Sequence, residues 1–362
     1  MTSRFFRPGF PALIFFLGLF SPLSRAEQDT PQTDHVYRGV SHIHSQYSHD
    51  SKAPFSLILE NARALKLDFV VITDHNSLKG REAFAKMHVS VPPLVIFGDE
   101  VSAADGHLIA LGIPKAPPDN IPSQDLIDWI HAQGGYALLP HPFTGKNPWK
   151  NWEVRGWEGL EMYNFGHEFF EGDAVDIYLR SMSESNESIL KGNRNIPAEN
   201  FAFWDEQLRE RKVAAIAGSD AHLKRDKRWF TMAMEAVTLY VRAPKLEEPE
   251  LIEALAHGRT FIAFETQGLA KEFDFWAETE KGRTHVGEEI EEGANIVFHV
   301  HLPATAKIVL VHNGSVAAEE ETKDLSFTSP ETGAYRVEVY QEGKLWLFTN
   351  PIYVKSTEKR ES

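Results

Sequence analysis

Histidine residues occur in pairs with a spacing of two at His42 and His44 and again at His299 and His301. Residues two apart on a β-strand point to the same side, so both imidazole rings of such a pair can reach one metal ion. The spacing alone is weak evidence for a metal site, because strand faces exposed to water also carry polar residues at alternate positions. The segment around the second pair offers no converging carboxylate, so we interpret that pair as part of a polar strand face.

The first pair is one of several groups of His, Asp and Glu residues that follow apolar segments of the chain. Five short apolar runs, each of the type that forms a buried strand, end in such residues. The groups are His42, His44, His49 and Asp50; Asp74 and His75; Asp99, Glu100 and His107; His141; and Asp220 and His222. In a β/α barrel the carboxyl ends of the strands lie together on one face, where active sites are built. We therefore expect these side chains to converge on one site.

The number and type of these side chains restrict the chemistry. Nine of these side chains are candidate ligands, which is too many for one tetrahedral zinc ion, whereas two or three divalent ions that share carboxylates would use them. The nine are His42, His44, Asp50, His75, Glu100, His107, His141, Asp220 and His222. Imidazole and carboxylate suit Zn, Mn or Fe, and the residue types do not decide among these metals. The sequence contains no cysteine, which excludes thiolate zinc sites, Fe–S clusters, a cysteine nucleophile and a disulfide scaffold.

The elements that must position these residues follow from the apolar pattern. Several β-then-α units in series indicate parallel strands with helices packed outside them, and seven strands favour a barrel over an open sheet. The predicted strands are residues 39–44, 69–73, 94–97, 137–139, 159–162, 213–217 and 236–241, and the predicted helices include residues 55–65, 123–132 and 204–211. The expected fold class is therefore α/β, a distorted seven-stranded (β/α) barrel.

A second, smaller region follows the barrel. We expect the barrel at residues 36–243, a helix and connecting segment that complete it at 244–279, and an antiparallel β-sandwich domain at 280–357. Short alternating strands separated by turns at Asn313-Gly314 and Glu342-Gly343 are typical of such a domain.

The ends of the chain and its charge bear on location and partners. Residues 1–26 combine Arg4 and Arg7, an apolar run at 11–20 and the sequence Ser24-Arg25-Ala26, which predicts a signal peptide cleaved after Ala26. The alternative is a retained membrane anchor, but it needs a run of about 20 apolar residues, which is longer than the run at 11–20. We expect a periplasmic or secreted protein with no membrane span after cleavage.

The net charge bears on the partners of the protein. A net charge of −15 argues against nucleic acid or anionic lipid as a partner.

The order of the motifs adds a family resemblance. The motifs are His42-Ile43-His44, Ser48-His49-Asp50-Ser51, Thr73-Asp74-His75-Asn76, Glu100, His107, His141-Pro142 and Asp220-Ala221-His222. Together they resemble the PHP family, the polymerase and histidinol phosphatase domain, over residues 36 to 241. The resemblance implies a distorted seven-stranded barrel that holds two or three metal ions. The segments at 37–42, 254–261 and 348–354 further resemble the branch named for carbaryl hydrolase, whose members are often exported and carry a C-terminal β-domain.

The resemblance implies a division of the ligands among three ions. The first ion would be held by His42, His44, Glu100 and Asp220, the second by Glu100, His107 and His141, and the third by Asp50, His75 and His222. The commonest form of the first motif has Asp directly after Ser, where this chain has His49. We favour Asp50 as the ligand, because a carboxylate suits a site with several metals better, and His49 is the alternative.

Several neighbours of the ligands have two interpretations. Asp74, Asp99 and Ser219 either orient imidazole rings or cap the helices that follow the strands. Trp149, Trp152 and Trp157 either form a stacking wall for a substrate or serve packing, which is the commoner role of large aromatic side chains. Candidate cations for a phosphate at the rim of the site are Lys79, Lys146, Lys224, Arg225, Lys227 and Arg228.

The predicted function is hydrolysis of a small phosphate monoester or diester. Bound metals lower the pKa of water towards about 7 and would supply the attacking hydroxide, with Glu100, Asp220 and His222 as the predicted catalytic residues. An alternative keeps the metals but hydrolyses a carbamate or carboxylic ester, as the resemblance permits. A different class is a metal-containing protein that binds a surface or a carbohydrate. An ordinary amidohydrolase is less favoured, because that family usually has a bridging lysine where this chain has His141.

Overall fold

The structure is a computed structural model that describes Met1 and residues 34–357, apart from residues 90–91, 119, 145–146, 168–173, 193–195 and 294. The predicted signal peptide therefore lies outside the described residues, except for Met1. The described residues from 34 onward form one compact unit. Within the described residues, no helix combines the length and the apolar character that crossing a membrane would need.

Seven strands of the described chain close a barrel. They are β1 (His35–Ile43), β2 (Phe69–His75), β3 (Leu94–Ala103), β4 (Gly106–Leu111), β5 (Tyr136–Leu139), β6 (Gly159–Asn164) and β7 (Ala214–Ala221). Each strand pairs with the next, and β1 pairs with both β2 and β7, which closes the ring. The continuous apolar run at residues 69–72 is buried throughout, as expected for a strand covered on both faces. The α/β barrel predicted from the sequence is confirmed.

Helices of the described residues connect several of the strands. They are α1 (Phe55–Ala64), α2 (Lys79–Ala85), α3 (Ser123–Ala132), α4 (Ala174–Ser181), α5 (Asn186–Gly192), α6 (Ala198–Glu210), α7 (Lys227–Ala236) and α8 (Glu248–Ala256). In α3 the apolar spacing places Leu126, Ile127 and Ile130 in the barrel core. Gly134, with φ of 78°, adopts the left-handed conformation that ends this helix.

The membership of the barrel differs from the prediction at one strand. The predicted seventh strand, residues 236–241, lies outside the ring as β8 (Thr238–Ala243), antiparallel to the first half of β1. The ring is completed instead by β4, which the sequence analysis did not identify. The chain reverses tightly between β3 and β4, so β4 runs antiparallel to both of its neighbours, which a series of β-then-α units does not suggest.

Strands outside the barrel continue its sheet into the C-terminal region. They are β9 (Thr260–Ala263), β10 (Asp274–Thr279), β11 (Gly282–His285), β12 (Glu289–Glu291), β13 (Val297–His312), β14 (Ser315–Thr328), β15 (Gly333–Gln341), β16 (Lys344–Thr349) and β17 (Ile352–Lys355). The β13–β14 and β15–β16 hairpins turn at the two predicted positions, where Asn313, Gly314, Glu342 and Gly343 all have positive φ. That conformation matches the twist of paired strands.

The C-terminal strands have an apolar core of their own and two buried polar contacts with the barrel. Arg336 of β15 donates two hydrogen bonds of 2.7 Å to the carboxylate of Asp205 in α6. Asn350, after β16, accepts from the backbone N–H of Ala215 at 2.7 Å and donates to its carbonyl at 2.8 Å. These contacts hold the C-terminal strands against α6 and against the start of β7, the strand that carries Asp220 at its other end.

Candidate metal centre

The candidate metal centre lies at the carboxyl ends of the parallel barrel strands. His42 is in β1 and His44 follows it, His75 ends β2, Glu100 is in β3, His141 follows β5, and Asp220 is in β7 with His222 beyond it. His107 stands at the beginning of β4 rather than at its end. Because β4 is antiparallel, its beginning lies beside the ends of the other strands, and His107 joins the same site.

Glu100 is the centre of the cluster. Its carboxylate is almost fully buried, and both of its oxygens face imidazole rings. Oε2 lies 3.0 Å from His42 Nε2, 3.1 Å from His44 Nε2 and 3.4 Å from His75 Nδ1, and Oε1 lies 2.7 Å from His107 Nδ1 and 3.0 Å from His141 Nε2. One carboxylate thus contacts five histidines from four parts of the chain.

Asp220 connects the cluster to its exposed side. Oδ1 lies 3.3 Å from both His44 Nε2 and His222 Nδ1, and 3.6 Å from His42 Nε2. Oδ2 lies 3.3 Å from Nε2 of His167. Asp220 therefore stands between the buried imidazoles and two that are partly open to solvent.

Asp50 rather than His49 is directed into the cluster. Asp50 Oδ2 lies 2.8 Å from His222 Nε2 and 3.7 Å from His75 Nε2, and its other oxygen accepts a 2.7 Å hydrogen bond from Ser48. His49 is exposed and packs its ring against that of His75, with 5.1 Å between the ring centroids. This geometry favours Asp50, and its role as a ligand stays a prediction.

Backbone strain coincides with three of the predicted ligands. His42, His141 and Asp220 have φ of 60°, 32° and 47°, in the left-handed region that residues other than glycine rarely adopt. Such conformations cost on the order of 1–3 kcal/mol each and concentrate at functional sites. At these three positions the unusual backbone conformation accompanies a side chain that faces the cluster.

The donor set fits divalent metal ions. Four overlapping groups bring their ligand atoms within 4.8 Å of one another: His44, Asp50, His75 and His222; His42, His141 and Asp220; His42, His44 and Glu100; and His75, Glu100 and His107. Although His44 Nε2 is close to two carboxylates, it is buried and forms no hydrogen bond with correct geometry among the described residues. A buried imidazole nitrogen that faces carboxylate oxygens without such a hydrogen bond is the arrangement expected around a common cation.

Electrostatics favour the ionised carboxylates of the cluster. Burial alone would raise the pKa of Glu100 and Asp220, but the nearby imidazoles, His42 above all, hold both well below their usual values. Burial alone would lower the pKa of His44, but the same two carboxylates raise it to about 9. The pKa of His75 falls to about 4, because burial disfavours its charged form. At neutral pH the cluster thus offers two anionic carboxylates and a neutral His75.

The neighbours with two interpretations support the backbone rather than helix ends. Asp74 accepts hydrogen bonds from the backbone N–H and the hydroxyl of Ser45, at 2.6 and 2.7 Å, next to His44. The Ser219 hydroxyl donates to the carbonyl of His42 at 2.8 Å. The residues that precede α2 and α7 are Leu78 and Asp226, so neither Asp74 nor Ser219 caps those helices. Burial raises the pKa of Asp99 to about 7.

Three polar residues of the site were missed by the sequence analysis: Glu161, Asn164 and His167. Glu161 is fully buried and contacts Nδ1 of His42 at 2.8 Å. Asn164 donates to Glu161 at 2.8 Å, and His167 lies against Asp220. A glutamate between Leu160 and Met162, inside a run otherwise apolar up to Tyr163, was the available signal for the first of them.

The aromatic and cationic candidates at the rim are placed differently from the ligands. Trp149 and Trp157 are buried in the barrel core, and Trp152 packs on Phe203 with 4.4 Å between ring centroids, so the packing interpretation holds. Arg228 donates to the side chain of Asn186 and to backbone carbonyls, among them that of Glu184, which removes it from the rim. Lys79, Lys224, Arg225 and Lys227 are exposed, and Lys146 lies outside the described residues.

Comparison with known proteins agrees with this geometry. Residues 41–167 match the model of the PHP domain. This segment of the chain is therefore similar to PHP domains. The match includes the predicted ligands from His42 to His141, and Asp220 and His222 lie beyond it. The resemblance predicted from the motifs is confirmed, while the carbaryl hydrolase branch stays a prediction.

Relatives match over part of the chain. Two uncharacterized proteins from Methanocaldococcus jannaschii are each 31% identical, over 113 and 102 residues. Each match covers 28% of this chain, and they span 66% and 38% of the relatives' own lengths.

Among solved structures, a two-domain protein from Bacteroides vulgatus that contains a predicted PHP-like metal-dependent phosphoesterase is 16% identical, with a TM-score of 0.48 over 88% of this chain and 95% of that one. An amidohydrolase from Chromobacterium violaceum is 14% identical, with a TM-score of 0.36 over 52% and 89%. The family assignment depends on the sequence match. The PHP domain and the four ligand groups together support a metal-dependent hydrolase that uses divalent ions.

Proposed function

We propose that this protein is a metal-dependent phosphoesterase that acts on a small phosphate monoester or diester. The observation that carries the proposal is the convergence of His, Asp and Glu side chains from six barrel strands around Glu100. Bound divalent ions would lower the pKa of a water molecule and offset the negative charge of a phosphate group. The chain's own contribution is to hold those ions, keep the carboxylates ionised and leave one side of the cluster open.

The open side of the cluster defines where a substrate would approach. The side chains of His42, His44 and Glu100 are at most 1% exposed, whereas those of Asp50 and His167 are 27% and 24% exposed. His107 and His222 are intermediate, at 17% and 16%. A substrate therefore reaches the cluster from the side of Asp50, His222 and His167, with Glu100 at the bottom of the site.

The net charge of −15 does not oppose this substrate class. Long-range repulsion works against extended polyanions, whose binding depends on many cationic contacts. A small phosphate needs only local positive charge, which metal ions in the cluster would provide. The expected partner is a small molecule with one phosphate group.

The test compares three substrates under the same conditions. Purified protein loaded with Mn, Zn or Fe is assayed with p-nitrophenyl phosphate, bis-p-nitrophenyl phosphate and a naphthyl carbamate. We expect turnover of a phosphate ester that is abolished by a chelator and restored by the metal. Turnover of the carbamate alone would replace phosphoester hydrolysis with ester hydrolysis at the same site. Metal binding with no hydrolysis of any substrate would favour a binding protein.

We further propose that the protein is exported. The support is the basic and apolar pattern of residues 1–26, which is typical of a cleaved signal. The test is N-terminal sequencing of the protein recovered from the periplasm or medium of an expressing bacterium, with Glu27 as the expected first residue. A protein that stays with the cell membrane and begins at Met1 would support the anchor instead.

A further inference from the structure

We propose that Glu161 is a positioning residue that sets which ring nitrogen of His42 is free to bind metal. The inference rests on the proposed metal site and goes beyond it, because Glu161 does not belong to any of the ligand groups. It assigns a task to a buried carboxylate that the predicted ligand set does not use.

The geometry of the pair separates the two ring nitrogens of His42. Nδ1 lies 2.8 Å from Glu161 Oε1, and both side chains are completely buried. Nε2 faces the other way, 3.0 Å from Glu100 Oε2. A carboxylate can only accept a hydrogen bond, so the proton stays on Nδ1 and Nε2 is the nitrogen that loses its proton when a metal binds.

The second oxygen of Glu161 is fixed by two more donors. Oε2 accepts the backbone N–H of His141 at 2.9 Å and the side-chain amide of Asn164 at 2.8 Å. The Asn164 side chain is itself oriented, because its oxygen accepts the backbone N–H of His167 at 3.0 Å. Both oxygens of Glu161 thus face hydrogen-bond donors, which hold its carboxylate in one orientation.

The absence of a side chain at Gly218 leaves room for the carboxylate of Glu161. A Cβ atom at Gly218 of β7 would lie 2.0 Å from Glu161 Oε1 and 2.9 Å from the Cβ of His42. No side chain therefore fits at residue 218 while Glu161 stays against His42. The close approach of β7 to this pair is part of what holds the ring of His42 in place.

An amide at residue 161 cannot reproduce this pattern. In Glu161→Gln the side chain keeps its size but has one accepting end and one donating end. If the amide NH₂ faces His42, Nδ1 must become the acceptor and Nε2 carries the proton, which blocks metal binding. If the amide oxygen faces His42, the NH₂ opposes the donors from His141 and Asn164. Both orientations weaken the metal site.

The chain provides a matched control at Glu158. Its carboxylate also contacts a histidine, His131 Nε2 at 2.8 Å, and accepts a backbone N–H from Ala137 at 2.7 Å. Glu158 directly precedes β6, at the end of the barrel strands opposite the cluster, and His131 lies in the last turn of α3. Glu158→Gln therefore removes the same kind of contact without touching a predicted ligand.

The experiment measures metal affinity without substrate. Zn²⁺ and Mn²⁺ are titrated by calorimetry into the metal-free wild type, E161Q and E158Q, and the unfolding midpoint of each metal-free protein is recorded. We expect E161Q to bind metal about 10–100-fold more weakly, as for other groups that orient metal-binding histidines. E158Q should keep the wild-type affinity, and its change in unfolding midpoint shows how much of any effect is structural.

A second measurement keeps Glu161 unchanged. ¹⁵N spectra of histidine-labelled wild-type protein, with His42 assigned by its replacement, report which ring nitrogen carries the proton. We expect Nδ1–H and an unprotonated Nε2 in the metal-loaded protein. A proton on Nε2, or wild-type affinity in E161Q, would overturn the inference while the proposed hydrolase could stand. Weak metal binding by E161Q in a protein whose wild type hydrolyses no phosphate ester would overturn only the proposed function.

Discussion

The two His-x-His pairs of this chain have the same spacing, and each lies in a strand or directly at its end, yet their surroundings differ completely. His42 and His44 are fully buried. The side chains of His299 and His301 in β13 are 26% and 38% exposed. The identical local pattern therefore leads to a converging cluster in one place and to a surface in the other.

The partners of the second pair explain the difference. His299 stacks on Trp276, with 4.9 Å between the ring centroids, and contacts the hydroxyl of Ser326 at 3.0 Å. His301 lies 2.5 Å from the exposed carboxylate of Asp324. Each ring is thus satisfied by a neighbour on an adjacent strand of an open sheet. Around His42 and His44 the barrel closes, and carboxylates from distant strands meet both rings.

The largest expected effect is the loss of activity when the carboxylate beside the first pair is replaced. Glu100→Gln should lower kcat for the phosphate ester by about three orders of magnitude, since metal-assisted catalysis contributes several kcal/mol and each 1.36 kcal/mol is tenfold. The control is Glu278→Gln, which alters the carboxylate 3.7 Å from His299. Initial rates of the metal-loaded proteins provide the measurement. Equal rates for the two variants would contradict the assignment of the active site to the first pair.

The next effect concerns metal content. His44→Ala should lower the amount of metal bound per chain, because His44 belongs to two of the ligand groups. His301→Ala should leave it unchanged, although the residue type and spacing are the same. Elemental analysis of the dialysed proteins distinguishes the two outcomes. A loss of metal in His301→Ala would mean that the β-domain carries a site of its own.

A smaller effect is expected in the pH dependence of stability. The carboxylates of Asp220 and Glu100 overcome the effect of burial and raise the pKa of His44 to about 9 in the folded, metal-free protein, against about 6.5 in an unfolded chain. The resulting stabilisation is complete below pH of about 6.5 and is lost as the pH rises through about 9. The free energy of unfolding of chelator-treated protein should therefore fall across this window.

Urea unfolding at several pH values between those limits measures this slope. In His44→Ala the slope should be smaller, because the titrating group is gone. A wild-type slope of the opposite sign would mean that burial, rather than the two carboxylates, decides the charge of His44.

The smallest effect is expected at the exposed pair. Asp324→Asn should change the free energy of unfolding by at most about 1 kcal/mol, as is usual for solvent-exposed ion pairs. Thermal unfolding at neutral pH provides the measurement. A larger loss would show that His301 and Asp324 stabilise the β-domain more than their exposure suggests.

The sequence predicted the barrel and the convergence of its polar strand ends for one reason. Apolar runs and the residues that directly follow them are local, and the carboxyl ends of parallel strands share a face whatever the details of packing. Residues such as His75 and His141 were therefore identified together with their expected neighbours. The two-residue turns at Asn313 and Glu342 were likewise local features.

What the sequence did not reveal depends on contacts between distant strands. The pairing of β3 with β4, which brings His107 to the cluster, requires a chain reversal that the β-then-α series does not suggest. Glu161 and His42 are 119 residues apart and meet through the order and register of the strands between them. In the sequence, a buried glutamate such as Glu161 is visible only as one polar residue within an apolar strand.

The residue types and their order thus determined the class of chemistry: imidazole and carboxylate ligands without thiolate, at the ends of successive strands. The sequence also favoured the first His-x-His pair over the second and Asp50 over His49, and the structure directs the favoured residues into the cluster. Only the tertiary structure revealed that the carboxylate of Glu161 contacts Nδ1 of His42. The physical reason is that side-chain type is a property of each position, whereas burial, distance and the direction of a ring nitrogen arise when the barrel closes.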